Sequence, residues 1–313
     1  MQLTQPIYFE PLFMERVWGG RRLETVFGKK IPHHVRIGES WEIVDREEAQ
    51  SVVHAGPLRD KTLHELWAEF RAEVFGKSAP VLPRFPLLFK LLDAQEKLSV
   101  QVHPPAAVAP QLGGEPKTEM WYIADAEPGA DIFAGLKKGV TREDFEQALH
   151  DGKVADKIQC LDTKSGDAIF IPSGRIHAIG AGNLIVEVQQ NSDTTYRVFD
   201  WNRLGLDGEP RALHIEESMR STDFADIEPA LAVPQGETVV ACEFFRVEKW
   251  MLEKPRAACD GDTFAIFTVL GGEVECGDGR FRAGDFFLVP TALADRTLRP
   301  VNGSATLLRT TIP

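Results

Sequence analysis

The chain has 313 residues, 43% of them hydrophobic and 26% charged, and a formal net charge of −12. It is long enough for about two domains of ordinary size, each with its own core. Acidic residues outnumber basic ones and no basic run occurs, which excludes nucleic acid as a partner; an anionic ligand would need a local basic cluster.

In chain order, Met1–Pro6 has neither a basic nor an apolar targeting segment, and no later apolar run is long enough to span a bilayer. A cytoplasmic protein with no membrane partner is expected. Ile7-Tyr8-Phe9, Ser40 to Val44 and Ser51-Val52-Val53 read as strands, punctuated by Gly19-Gly20 and Gly38. Thr62 reads as the N-cap of a helix whose apolar stripe is Leu63, Leu66, Trp67, Phe70 and Val74. Pro80, Pro83 and Pro86 then lead into Leu87-Leu88-Phe89-Lys90-Leu91-Leu92, a strand with one lysine among five apolar side chains. Lys90 either snorkels to the surface or points into a pocket.

The next strand is Lys97-Leu98-Ser99-Val100-Gln101-Val102-His103, ended by Pro104. Alternation sets Leu98, Val100 and Val102 on one face and Ser99, Gln101 and His103 on the other. An inward Gln and His are costly unless something occupies the space between them, and a metal ion would. Pro116 to Ile123 reads as another strand, with Lys117 and Glu119 sharing a face. Thr141 to Leu161 is helical in pattern, with Thr141 as N-cap and Glu143 and Asp144 in the first turn.

Gly166-Asp167-Ala168-Ile169-Phe170-Ile171-Pro172-Ser173-Gly174-Arg175-Ile176-His177 resembles the second motif of the cupin superfamily, in which the glycines and proline shape a corner and the histidine faces the barrel interior. The usual Asn four residues after that histidine is Ala181 here. The frame recurs at Gly284 to Pro290, where Ala292 matches Gly174 and Asp295 matches His177, so the second copy lacks the ligand. The expected fold is mainly β: two cupin (jelly-roll) β-barrels with a few helices packed outside. Residues 1–234 form the metal-binding unit and 235–313 a metal-free one, with Ala225 to Gln235 as linker. Cys160, Cys242, Cys259 and Cys276 form no C-x-x-C pair and are expected as reduced thiols.

Gln101, His103, Glu119 and His177 are thus the expected metal ligands. Two imidazoles, a carboxylate and an amide oxygen suit one Zn²⁺ per chain, and Mn²⁺, Co²⁺ or Fe²⁺ would also fit.

Val186 to Asp200, containing Gln190, Ser192, Asp193 and Arg197, resembles the Q-x-S-D-x-x-x-R signature of the type I mannose-6-phosphate isomerases. Val17-Trp18-Gly19-Gly20, Gly38-Glu39-Ser40-Trp41-Glu42, Phe89-Lys90, Leu98 to Pro104, Lys117-Thr118-Glu119 and Ile171 to Ala178 are similar to that family's motifs in the same order. The resemblance implies a zinc-dependent cupin isomerase that interconverts mannose 6-phosphate and fructose 6-phosphate through a cis-enediol. The short span between Glu119 and His177 leaves no room for a large helical domain, as in the short bacterial form, and Pro116 stands where many long forms have a histidine.

For that chemistry Lys117 is the first candidate for electrostatic stabilisation or proton transfer, and a nearby Zn²⁺ would depress its pKa. Arg197 would hold the phosphate or a sugar oxygen in fork geometry, with Lys90 adding charge. Asp193 orients Arg197, acts as base, or is a turn residue; Trp18 and Glu42 line the pocket or belong to the core. A monomer or weak homodimer acting on a small phosphosugar is expected. The same ligands would also serve an Fe²⁺ oxygenase or a non-enzymatic sugar-binding cupin, but Lys90, Lys117 and Arg197 favour a phosphorylated substrate.

Overall fold

A computed structural model describes residues 3–313; Met1 and Gln2, part of the stretch read for targeting signals, lie outside the described residues. Six antiparallel strands form a first sheet in the order Leu12–Gly20, Ile37–Ile43, Leu87–Ala94, Asn183–Gln190, Glu119–Ala126 and Ala168–Ile171. A second sheet runs Tyr196–Phe199, Val100–Val102, His177–Ile179, Asp131–Leu136 and Ile158–Asp162. The two face each other as a jelly-roll sandwich around Leu92, Trp121, Ile123 and Ile185 of the first sheet and Ile132, Ala134 and Ile179 of the second. The mainly β, cupin-like expectation is met. The strands hydrogen-bond within each sheet and do not close into a continuous barrel.

Alternation in the first sheet builds the site. It is covered on both faces, so Leu87–Ala94 is buried along its whole length. Phe89 and Leu91, Leu184 and Val186, and Met120 and Tyr122 pack outward into the larger core, which includes the third sheet. Lys90, Glu187 and Glu119 alternate with them and therefore turn inward. In the second sheet Val100 and Val102 face outward, into a core that also holds Phe145 and Met219 of the helices Arg142–His150 and Ile215–Ser221.

Several sequence expectations shift. Regular pairing begins only at Val100, and Leu98 packs with Trp18 and Trp121 rather than with Val100 and Val102. The helix capped by Thr141 ends at His150, because Gly152 turns at φ +68° and the chain passes through one 3₁₀ turn into the Ile158–Asp162 strand. The Thr62 capping box with Glu65 is present, but the helix breaks at Phe70 and restarts at Arg71. Ile7 to Phe9 and Ser51 to Val53 make isolated bridges, Ile7 to Leu288 and Phe9 to Val53 among them, instead of full strands.

The third sheet holds Thr238–Ala241, Arg246–Leu252, Thr297–Thr311, Ala265–Cys276 and Gly279–Arg282, with Arg256–Ala257 and Phe286–Val289 paired at its side. Gly166 and Gly284 both take left-handed turns, at φ +97° and +89°, immediately before Ala168–Ile171 and Phe286–Val289. Asp295, at the position of His177, is exposed and pairs with Arg299 at 2.9 Å. Phe267, Phe281 and Phe287 stack in the larger core, with ring centroids 5.4 Å apart for Phe267 and Phe287 and 3.9 Å for Phe281 and Phe287. All four cysteines are free thiols, and no helix among the described residues is long and apolar enough to cross a membrane.

Candidate active site

His103 and His177 come from neighbouring strand ends of the second sheet, and Glu119 opens a strand of the first sheet opposite them. Each imidazole is fixed by its Nδ1–H, which donates to a backbone carbonyl: that of Thr194 for His103 and that of Arg175 for His177, both at 2.8 Å. A carbonyl only accepts, so each Nε2 is left as a bare lone pair turned inward. Those atoms lie 3.6 Å and 3.5 Å from the two different oxygens of Glu119. All three residues are buried, and His103 Nε2 and both Glu119 oxygens have no hydrogen-bond partner.

Burial of such a set without partners is costly. Donors about 2.0–2.2 Å from a tetrahedral divalent ion stand roughly 3.3–3.6 Å from one another; each Nε2 is at that spacing from one Glu119 oxygen, and one ligand atom from each of the three residues lies within 4.8 Å of the others. The three residues could hold a metal ion. Gln101, opposite His177 in the sheet register, turns its amide toward His177 Nε2 at 3.2 Å. Burial, reinforced by the charge of His103, drives the His177 imidazole down to about 3 and keeps it neutral. His103 is lowered for the same first reason, with Lys117 second. Burial, the largest single influence, would raise the Glu119 carboxyl, but Lys117, 3.1 Å away, together with His103 and His177 outweighs it and holds it well below the carboxylate range.

Lys117 and Gln101 touch this triad and line a cavity of about 550 Å³. Burial would lower Lys117, yet the carboxylates of Glu119, Glu187 and Asp193 raise it, so within the protein's own field it is an ammonium. Lys90 also faces the cavity, its Nζ 3.6 Å from Glu39 and 3.5 Å from Glu187 and over the ring of Trp41. It points into the pocket and does not snorkel. Trp18, Asp193 and Arg197 line the same cavity.

Two expectations are corrected. Glu42 does not line this cavity: it lies on the other face of its strand, bonded to Lys29 at 2.8 Å and Ser40 at 2.6 Å, beside a second cavity, while Glu39 takes the pocket face. The alternation of Glu39 and Glu42 about Trp41 allows only one of them on each face. Asp193 makes no ion pair with Arg197 among the described residues; Arg197 instead donates from Nη1 to the Ala212 carbonyl at 2.8 Å.

The sequence reading also missed Glu39, Glu187, Arg16 and Arg211, all on the cavity wall. Glu187 carried a signal, since an acid amid Val186, Val188 and a buried strand has nowhere to go but a polar interior. It accepts from the Trp121 indole at 2.9 Å, and burial, with Glu119 next, pushes its carboxyl up.

A sequence profile described as phosphomannose isomerase type I, catalytic domain, matches residues 7–113. The chain is 37% identical over 305 residues to the mannose-6-phosphate isomerase ManA of Bacillus subtilis (strain 168), covering 93% of this chain and 95% of the relative. It is 37% identical over 302 residues to a mannose-6-phosphate isomerase of Streptococcus mutans serotype c, covering 93% and 94%. The crystal structure of the mannose 6-phosphate isomerase from Bacillus subtilis superposes with a TM-score of 0.87 at 34% identity, covering 98% of this chain and all of that one. The apo form of the Salmonella typhimurium mannose 6-phosphate isomerase shares the fold, at 15% identity and TM-score 0.71 over 99% of this chain and 100% of that one.

Proposed function

The chain belongs to the type I phosphomannose isomerase family, and from that premise we propose that it interconverts mannose 6-phosphate and fructose 6-phosphate with Zn²⁺ held by His103, Glu119, His177 and Gln101. The observation that carries the metal reading is the pair of fixed imidazoles aimed at a buried Glu119 whose oxygens accept no hydrogen bond. Two nitrogens and a carboxylate suit Zn²⁺, and other divalent ions of similar size fit the set. Gln101 joins it if its amide oxygen, rather than its nitrogen, turns toward the ion.

When bound there, a divalent ion would supply Lewis-acid stabilisation of negative charge developing on the substrate. The remaining work falls to the cavity's own side chains. Lys117, an ammonium held by Glu119, stabilises the enediolate as it forms. The proton passes between C1 and C2 by way of a carboxylate facing the cavity, Asp193 or Glu187. Lys90, balanced by Glu39 and Glu187, donates to a sugar hydroxyl, Trp18 supplies an apolar wall, and Arg197 holds the substrate's distal oxygens. Residues 235–313 act as a metal-free structural unit in this reading.

The test is a coupled assay of mannose 6-phosphate conversion before and after chelation, with metal content measured on the same samples. Loss of turnover on chelation and its return on adding Zn²⁺ are expected. Full turnover in chelated, metal-free protein would overturn the metal reading, and a metal-loaded protein inert toward the phosphosugar would overturn the substrate.

A further inference from the structure

Tyr196–Phe199 is the edge strand of the second sheet: Val100–Val102 pairs with it on one side and no strand lies on the other. A strand edge leaves backbone N–H and C=O groups without ladder partners, and something else in the molecule has to meet them. At Arg197 one residue meets both. The His214 amide donates to the Arg197 carbonyl at 2.8 Å, and the Arg197 amide donates back to Nδ1 of the His214 imidazole at 3.2 Å. An accepting Nδ1 is a bare lone pair, so the proton of this imidazole is on Nε2, the opposite tautomer from His103 and His177, whose Nδ1–H groups donate to carbonyls.

This clamp matters because the Arg197 guanidinium, on the wall of the catalytic cavity, is held by so little else. Among the described residues its one hydrogen bond runs from Nη1 to the Ala212 carbonyl at 2.8 Å, and its buried Nε has no partner. Where the guanidinium points is therefore decided by where the chain places that carbonyl. Two anchors bracket it. On one side of Ala212, Arg211 is tied to Asp200 at 2.7 and 2.6 Å; on the other, His214 is clamped to the Arg197 backbone. His214 is in turn mounted on the helix Ile215–Ser221, its carbonyl accepting from the amide of the buried Ser218 at 2.9 Å. Ala212 and Leu213 are both exposed, so hydrogen bonds rather than apolar burial fix this stretch.

We propose that His214 is a positioning residue for the isomerase reaction: its neutral imidazole locks the Ala212 to His214 stretch in register with Arg197, and so aims the Arg197 guanidinium at the substrate. The proposal rests on the isomerase reading above, in which Arg197 touches the substrate's distal oxygens. An imidazole suits the task, since it lets a single residue donate from its backbone and accept on its side chain, closing a two-point clamp on one strand residue. Asparagine carries Oδ1 the same two bonds from Cβ as Nδ1 and also accepts, whereas leucine keeps the bulk and accepts nothing.

The test compares His214→Leu and His214→Asn with the unsubstituted, metal-loaded protein. The readouts are KM and kcat for mannose 6-phosphate, bound metal, and the nitrogen resonances of the histidine rings by NMR. In H214L the KM rises roughly five- to ten-fold, the size of one lost hydrogen bond, with a much smaller change in kcat and no loss of metal. H214N recovers most of that KM, which a role in packing alone would not produce. The ring signal missing from both variants is, in the unsubstituted protein, that of a neutral imidazole protonated on Nε2. An unchanged KM in H214L, equal losses in H214L and H214N, or a ring protonated on Nδ1 would each overturn the proposal. If the unsubstituted protein does not turn over mannose 6-phosphate, the isomerase reading fails and takes the role of His214 with it, while the ring tautomer still reports whether the clamp itself exists.

Discussion

Lys90 and Glu187 stand directly opposite each other on paired antiparallel strands, with Lys90 Nζ 3.5 Å from Glu187 Oε1. Both are buried, and Glu39 approaches the same ammonium from the next strand at 3.6 Å. Lys90→Met leaves the buried Glu187 without its paired cation and Glu39 with Arg16 alone, which costs on the order of 3–5 kcal/mol. Glu187→Gln costs less, because Lys90 retains Glu39. Urea unfolding checks the order, and adding E187Q to K90M recovers part of the loss. Equal stability of K90M and the unsubstituted protein would contradict this account.

Glu39 gives the pH dependence. Burial would raise its carboxyl, but Lys90 and Arg16 outweigh burial and hold it at about 2, against an ordinary 4.5. A group whose folded pKa is depressed contributes stability that is fully present above its unfolded pKa and lost as pH falls through the folded one. The contribution, on the order of 2–3 kcal/mol, is therefore complete above about pH 5 and disappears between pH 4.5 and 2. Glu39→Gln lacks it, so the stability gap between the two proteins narrows over that window. A gap that stays constant would remove Glu39 from the acid response.

The inward polar face was legible in the sequence because strand alternation is strict and the histidines sit beside proline and glycine corners: Gln101 with His103, Lys117 with Glu119, and His177 after Gly174 all turn as the period of two requires. What alternation cannot supply is which face of an isolated strand is the inner one. Glu39 and Glu42 are equally plausible on sequence, and only the packing of the first sheet between two cores settles that Glu39 faces the cavity. Glu187 and Arg211 needed partners distant in sequence to acquire meaning, the first from Trp121 and Lys90, the second from Asp200. The Thr141 helix was overread because its apolar pattern runs on into a strand, and only Gly152 marks the break.

Occupation of the triad also has a stability signature. His103 Nε2 and the Glu119 oxygens are buried without a hydrogen bond, so an ion that satisfies them binds the folded state alone and raises its melting temperature. Chelation should lower the melting temperature of the unsubstituted protein. In Glu119→Ala it should have no effect, bound metal should be absent, and turnover should be lost. Calorimetry with metal analysis checks all three, and a chelator response that persists in E119A would place the ion elsewhere.

Gly19 and Gly38 bring two paired strands together behind the cavity wall. A Cβ on Gly19 would lie 2.4 Å from the Gly38 nitrogen, a backbone atom that cannot swing aside, and a Cβ on Gly38 would meet the Arg16 Cβ at 2.6 Å and the Trp18 ring at 2.7 Å. Neither glycine is required for a left-handed turn; both are required for close approach. Gly19→Ala must therefore push apart the segments that carry Trp18 and Glu39, both on the cavity wall. Overpacking of this kind costs about 1–3 kcal/mol. Because the displaced residues flank the substrate space and not the histidines, G19A should raise KM while keeping its bound metal. Parallel measurement of unfolding, KM and metal content tests this, and loss of metal with an unchanged KM would show that the strain travels to the triad instead.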